Sequence, residues 1–193
     1  MTTLDKNQIK YRLARPSDAL CLSVLFRQVY MHNYAIEGIS ADFSRFIVQQ
    51  FAVDKIEQKI QNTPNCMLVA EYKNNLAGVA EIEYNKKCPV GDLVAPELNK
   101  LYVLECFTGL GVGHQLLDNV EQQLQQQGHA ELWLWVYAIN DRAIRFYERK
   151  NYQWIGNAFF ELEGVNYENK VMHKNLTTAS KLLPHDQTSL KNR

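Results

Sequence analysis

Hydrophobic and polar positions change period several times along this chain, and each change marks an element. Residues 9–15 alternate as a strand does. Arg15-Pro16-Ser17-Asp18 then reads as a helix start, with Ser17 able to cap and Asp18 suited to the positive helix end. Leu20, Val24 and Leu25 carry an apolar stripe toward Tyr30. A second helical region follows Ser40, and a third covers residues 53–61 and stops at Thr63-Pro64-Asn65. Residues 66–72 and 76–84 read as a hairpin about Lys73-Asn74-Asn75. Residues 86–96 hold two prolines and a glycine and read as a loop, and residues 97–103 read as a strand. In the next helix, from near Gly111 to about Gln127, Leu116, Leu117, Val120 and Leu124 share one face while the glutamines face water. Glu131-Leu132-Trp133-Leu134-Trp135-Val136 is apolar at nearly every position, as in a strand buried on both faces. A short helix over 140–150 takes Asn140 as its cap, and two strands, 152–163 and 165–174, close the pattern around Gly164.

The order β-α-α-α-β-β-β-α-β-α-β-β predicts an α/β (α+β) fold. Its sheet is mixed and mostly antiparallel, with about seven strands and helices on both faces. One domain is expected over residues 1–176, followed by a polar tail, 177–193, that lacks periodicity and reads as disordered. The composition agrees with a single core: 193 residues, 46% of them hydrophobic. Twenty-one basic and 21 acidic side chains cancel, so no broad nucleic-acid-binding surface is expected. No apolar run approaches the ~18 residues of a membrane span, and the first residues lack the basic-then-apolar order of a signal peptide. The four cysteines, Cys21, Cys66, Cys88 and Cys106, show no metal-ligand spacing with the histidines. Free thiols and a cytoplasmic location are expected, with no metal.

Chemistry first surfaces in Phe107-Thr108-Gly109-Leu110-Gly111-Val112-Gly113, a glycine run between a strand and a helix. Glycines admit an anion close to the backbone, and the first helical amides have no partner inside the helix. The same run also serves as a turn that needs positive φ angles. It lacks both the G-x-G-x-x-G spacing of a dinucleotide site and the Lys-Ser or Lys-Thr of a triphosphate loop.

Leu101-Tyr102-Val103, the glycine run, Leu116-Leu117, and Asn140-Asp141-Arg142-Ala143-Ile144-Arg145-Phe146-Tyr147 together resemble the GNAT superfamily of N-acetyltransferases. The family pattern is a strand, then Q/R-x-x-G-x-G/A opening a helix, then a later N-x-x-A-x-x-F-Y helix. The resemblance covers residues 9–175 and implies the GNAT fold with acetyl-CoA as cofactor. It implies that the amides of Gly109, Leu110, Gly111, Val112, Gly113 and His114 hold the pyrophosphate. The main chain at Leu101 and Val103 would pair with the pantetheine arm, helped by Asn140. A splay or bulge near Val103 would free its N–H to polarise the thioester carbonyl. Tyr147 would protonate the departing thiolate, although a core aromatic fits the same helix face. Thr108 departs from the family's Gln or Arg and loses reach toward phosphate. Asn151-Tyr152 replaces Gly-Phe, and Asn still tolerates the left-handed helix stop.

A general base must also take a proton from the attacking ammonium. Glu81 and Glu83 point the same way on one strand, and Glu105 follows the acetyl-site strand. Cys106 could carry an acetyl intermediate, but a small buried hydrophobe with direct transfer in a ternary complex is the preferred reading. Within the family, Leu101-Tyr102-Val103-Leu104 and Trp133-Leu134-Trp135-Val136 look most like bacterial spermidine/spermine acetyltransferases. That likeness implies a small-molecule amine, with Glu37, Asp42, Glu81, Glu83, Tyr30 and Tyr34 along a polyamine path. A peptide or protein N-acetyltransferase and a non-catalytic acyl-CoA sensor are the rival readings. A homodimer is left open; nucleic acid and membrane partners are not expected.

Overall fold

The computed structural model describes residues 4–35, 37–162 and 165–177. Its elements run β1 (Ile9–Leu13), α1 (Ala19–Tyr34), α2 (Ala41–Gln50), α3 (Val53–Asn62), β2 (Met67–Tyr72), β3 (Asn75–Lys87) and β4 (Val94–Val103). They continue with α4 (Val112–Gln126), β5 (Glu131–Tyr137), α5 (Asp141–Arg149), β6 (Gln153–Leu162) and β7 (Val165–Asn175). One seven-stranded sheet has the order β1-β2-β3-β4-β5-β7-β6. Each neighbouring pair is antiparallel except β4 and β5. The expected mixed sheet and element order are therefore present. The turn about Gly164 and the tail beyond Thr177 lie outside the described residues.

Strand periodicity divides the core into two faces. Ala80, Ile82, Leu98, Leu132 and Leu134 pack against Leu116, Leu117 and Val120 of α4 and Ile144 of α5. On the opposite face, Val69 and Val79 meet Leu22 and Phe26 of α1, Phe43 and Ile47 of α2 and Ile56 of α3. The β2–β3 turn holds Lys73 at φ 49° and Asn74 at φ 63°, the two positive angles a tight hairpin with right-handed twist needs.

Three local expectations are corrected. Ser17 does not cap α1: residues 16–18 form a 3-10 turn, and Asp18 turns its carboxylate to the Arg15 N–H (2.7 Å) and to Arg12 (2.7 Å). The loop expected over 86–96 shrinks to residues 88–93, because β3 and β4 stay paired through Lys86↔Ala95 and Lys87↔Val94. Pro96 is tolerated there because it falls where the register shifts, opposite no ladder partner. Cys106 is exposed on a 3-10 turn, Glu105–Phe107, and is no buried hydrophobe.

Candidate active site

β4 and β5 are parallel but share only one register pair, Glu97↔Trp133. Beyond it the strands part. The Leu104 N–H donates to the Ala77 carbonyl at 2.9 Å. Main-chain groups alternate sides along a strand, so Val103, one residue out of phase with that bond, turns its N–H and C=O toward the β5 side. Leu101 does the same. A bulge at Asn99, where Glu81↔Lys100 is followed by Ile82↔Leu98, bends β4 just before this stretch. Leu101 and Val103 thus lie where β4 has no registered partner on β5.

Two helix N-termini meet the gap at the C-terminal ends of these strands, the usual place for a ligand in such a sheet. Gly109 (φ 78°) and Gly111 (φ 83°) are left-handed and turn the chain into α4. Gln115 is the first α4 residue to bond a carbonyl, that of Gly111 at 3.0 Å. The amides of Val112, Gly113 and His114 are left without intrahelical partners. A Cβ on Gly113 would lie 3.7 Å from Val103 and 3.9 Å from Phe146, so β4, α4 and α5 converge there. The His114 and Phe146 rings sit edge to face at 4.8 Å. Thr108 does not reach into this loop: its hydroxyl donates to the Glu105 carbonyl at 2.8 Å.

Asn140 caps α5 by accepting from the Ala143 N–H at 3.0 Å, which leaves its amide NH2 free to donate. Asn151, at φ 64°, ends α5 as its left-handed tolerance predicts. Tyr147 is buried between the rings of Phe146 and Tyr152, at 5.1 and 5.6 Å. Its hydroxyl has no hydrogen bond among the described residues, yet it is not sealed. The one fully buried side-chain atom without a partner there is Nε of Arg27. Burial raises the Tyr147 pKa, so the phenol keeps its proton through neutral pH.

The opposite side of the gap opens into a cavity of about 450 Å³ walled by α1, α2, β3 to β7 and the loop after β3. This volume suits a small ligand. Its rings form a continuous wall: Tyr30 to Tyr34 at 4.4 Å, Tyr34 to Tyr137 at 5.9 Å, Tyr137 to Tyr167 at 5.8 Å.

The expected bases are placed differently from one another. Glu81 is sealed at 2% exposure between Lys59 and Lys100, the latter at 3.1 Å. Glu83 bridges Lys59 (2.7 Å) and Lys86 (2.9 Å). Burial alone would raise its pKa, but these two ammonium groups outweigh it and bring the value down to about 2. Glu105 is exposed on its turn, 3.7 Å from Arg142, and lines none of the cavity. Of the substrate-path residues, Tyr30 and Tyr34 line the cavity, whereas Asp42 is exposed and paired with Arg45, and Glu37 is exposed outside it.

Sequence reasoning missed Glu97. It is 7% exposed yet lines the cavity, at the one residue where β4 still pairs with β5. Burial, and then the charge of Glu83, raise its pKa. The available signal was an acid at the start of a central strand, where a carboxylate has no solvated face.

A family model described as the acetyltransferase (GNAT) family matches residues 33–152. The chain belongs to the GNAT acetyltransferase family. Its relatives include an uncharacterized N-acetyltransferase of Mycobacterium bovis, 27% identical over 124 residues, spanning 64% of this chain and 75% of that protein. Among solved structures, the PaiA N-acetyltransferase of Thermoplasma acidophilum in complex with coenzyme A superposes with a TM-score of 0.64. That match is 21% identical and covers 86% of this chain and 98% of the other. A Salmonella typhimurium structure with its cofactor acetyl-CoA gives a TM-score of 0.63 at 15% identity, covering 95% and 98% of the two chains. In this GNAT acetyltransferase, β4, the start of α4 and α5 converge beside Gly113.

Proposed function

We propose that this acetyltransferase moves the acetyl group of acetyl-CoA directly onto the amino nitrogen of a small molecule held in the aromatic cavity. The observation that carries the reading is the β4–β5 gap itself. It has main chain at Leu101 and Val103 without a registered partner on β5, and Glu97, which lines the cavity, at its one paired residue; Tyr147 of α5 packs in the core that Leu101 and Val103 join.

The residues present fit the cofactor. The amides of residues 109–114 would take the pyrophosphate. Leu101 and Val103 would pair with the pantetheine arm as an added strand, and the Asn140 amide would donate to it. Acetyl-CoA, when bound, supplies an acetyl group activated as a thioester. The Val103 N–H donates toward the carbonyl oxygen as negative charge develops there. Glu97, not Glu81, Glu83 or Glu105, is the preferred base. It takes the proton of the acceptor ammonium directly or through water, because it alone of the four both lines the cavity and lacks an ammonium partner within 4 Å. Tyr147 Oη gives its proton to the departing sulfur.

Walls from several elements support a small acceptor over an extended peptide, and an unpartnered hydroxyl on Tyr147 supports an enzyme over a sensor. A polyamine fits less well: the cavity offers one carboxylate, Glu97, beside Lys86, Lys87 and Lys100.

Because the Glu97 pKa is raised, the base is ionised only above that raised value, and kcat/KM should climb with pH through it. Glu97→Gln is expected to lower kcat/KM about 100-fold and to erase that climb. A pH–rate profile of both proteins tests this; an unchanged profile assigns the base elsewhere.

A further inference from the structure

Two carboxylates face each other across β3 and β4. Glu83 and Glu97 are direct register partners, so their side chains leave the sheet on one face with Cβ atoms about 4.5–5.5 Å apart. Like charges placed directly opposite destabilise a sheet. A fold that keeps both acids must therefore ionise them unequally.

Their partners supply that difference. Glu83 is bonded by Lys59 of α3 at 2.7 Å and by Lys86 at 2.9 Å, which hold it ionised. Lys59 is shared with Glu81, whose second oxygen lies 3.1 Å from Lys100. Glu97 is buried, and among the described residues its one side-chain hydrogen bond comes from the Asn99 amide, at a long 3.5 Å. α1, α2, β5, β6 and β7 bring no carboxylate, ammonium or imidazole to this cavity; their titratable groups there are the phenols of Tyr30, Tyr34, Tyr137 and Tyr167. β4 itself adds Tyr102 and Lys100. Lys87 pairs with Val94, out of phase with Glu97, so its side chain leaves from the other sheet face. Burial raises the Glu97 pKa most and the Glu83 charge raises it next, while Lys86 and then Lys100 oppose them.

Resting on the base reading above, we propose that Glu83 is a positioning residue for the transfer: pinned as an anion by Lys59 and Lys86, it makes Glu97 the proton-accepting member of a cross-strand pair. In that step the acceptor's ammonium gives one proton to the Glu97 carboxylate. Its nitrogen keeps the electron pair of the broken N–H bond and attacks the thioester carbonyl carbon. Glu83 stays ionised throughout, and its charge favours the protonated Glu97 that results. Lys86 works against it, so the balance of these two side chains sets how readily Glu97 takes the proton.

The test follows the Glu97 carboxyl itself, by carbon-13 NMR of the full chain labelled at glutamate Cδ, with its resonance identified by its loss in Glu97→Gln. In Glu83→Gln the anion is gone and Lys86 is released toward Glu97. Both changes favour ionisation, so the Glu97 titration should fall by about one pH unit. In Lys86→Gln, Glu83 remains an anion on Lys59, and the Glu97 titration should rise. The Lys86 side chain is 45% exposed, so this variant is expected to fold even if the first does not. Shifts of opposite sign are what a merely structural role would not produce. The climb of kcat/KM with pH, read with 2-phenylethylamine, tryptamine and spermidine as acceptors, should move with the carboxyl in each variant. Unmoved titrations, shifts of one sign in both variants, or a moved carboxyl beside an unmoved climb overturn the role of Glu83. A climb that persists in Glu97→Gln instead removes the base reading beneath it, whatever the titrations show.

Discussion

Gly111→Val is expected to weaken acetyl-CoA binding by at least ~100-fold while leaving the fold intact. Gly111 sits at φ 83° as the residue before α4. A β-branched residue at that angle is a genuine outlier. Open space surrounds the position, with nothing within 4 Å of an added Cβ, so the penalty is conformational rather than a clash. The chain would relieve it by rotating out of the left-handed region, and the amides of Val112, Gly113 and His114 would no longer converge. Each hydrogen bond to a charged partner contributes about 1.5–3 kcal/mol, so losing two of them accounts for the factor. Gly113 gives the contrast. Its φ is not left-handed, and an added Cβ meets Val103 and Phe146 only at ordinary contact distances of 3.7 and 3.9 Å. Gly113→Ala should therefore bind nearly normally. Calorimetric titration with CoA checks both, and unchanged affinity in Gly111→Val would remove the glycine turn from the cofactor site.

The contrast also marks what the residue pattern could carry. The turn, the strand before it and the α5 helix were legible because each imposes a local demand: a positive φ at Gly109 and Gly111, a cap at Asn140, a helix stop at Asn151. The mixed, mostly antiparallel sheet was legible because strands buried on both faces differ in pattern from half-exposed ones, whereas its strand order, with β7 between β5 and β6, was not. The β3–β4 arm was not, because pairing across Lys86↔Ala95 is a tertiary gain that overrides Pro96. Neither was the proposed base. Glu81, Glu83 and Glu97 look alike as acids on strands; only the packing of α3 brings Lys59 against the first two and leaves Glu97 facing the cavity. Thr108 looked like a weakened phosphate contact, yet its hydroxyl is committed to Glu105, a choice set by the 3-10 turn and invisible in the motif.

Tyr147→Phe is expected to lower kcat about 100-fold, the low end of general-acid contributions, with the KM for acetyl-CoA little changed. Phenylalanine fills the same place between Phe146 and Tyr152, whose rings pack at 5.1 and 5.6 Å. The lost hydroxyl has no hydrogen-bond partner among the described residues, so thermal stability should hold as well. That combination separates a catalytic proton from a structural one, since removing a structural hydroxyl strands a partner and lowers stability. Burial keeps the phenol protonated through neutral pH. The rate deficit should therefore be constant across that range rather than follow a titration. Full turnover in the variant would exclude Tyr147 as the acid.

In the proposed function the acetyl group passes directly from acetyl-CoA to a small amine across the β4–β5 gap. The most direct measurement follows thiol release and acceptor mass together, with the full chain, acetyl-CoA and a panel of amino acids, simple amines, polyamines, aminoglycosides and peptides. One free thiol is expected for each acetylated small-molecule amine, with no acetyl group retained on the protein. Acetyl-CoA that binds but stays intact beside every amine, or acetyl transfer confined to peptides, would contradict it.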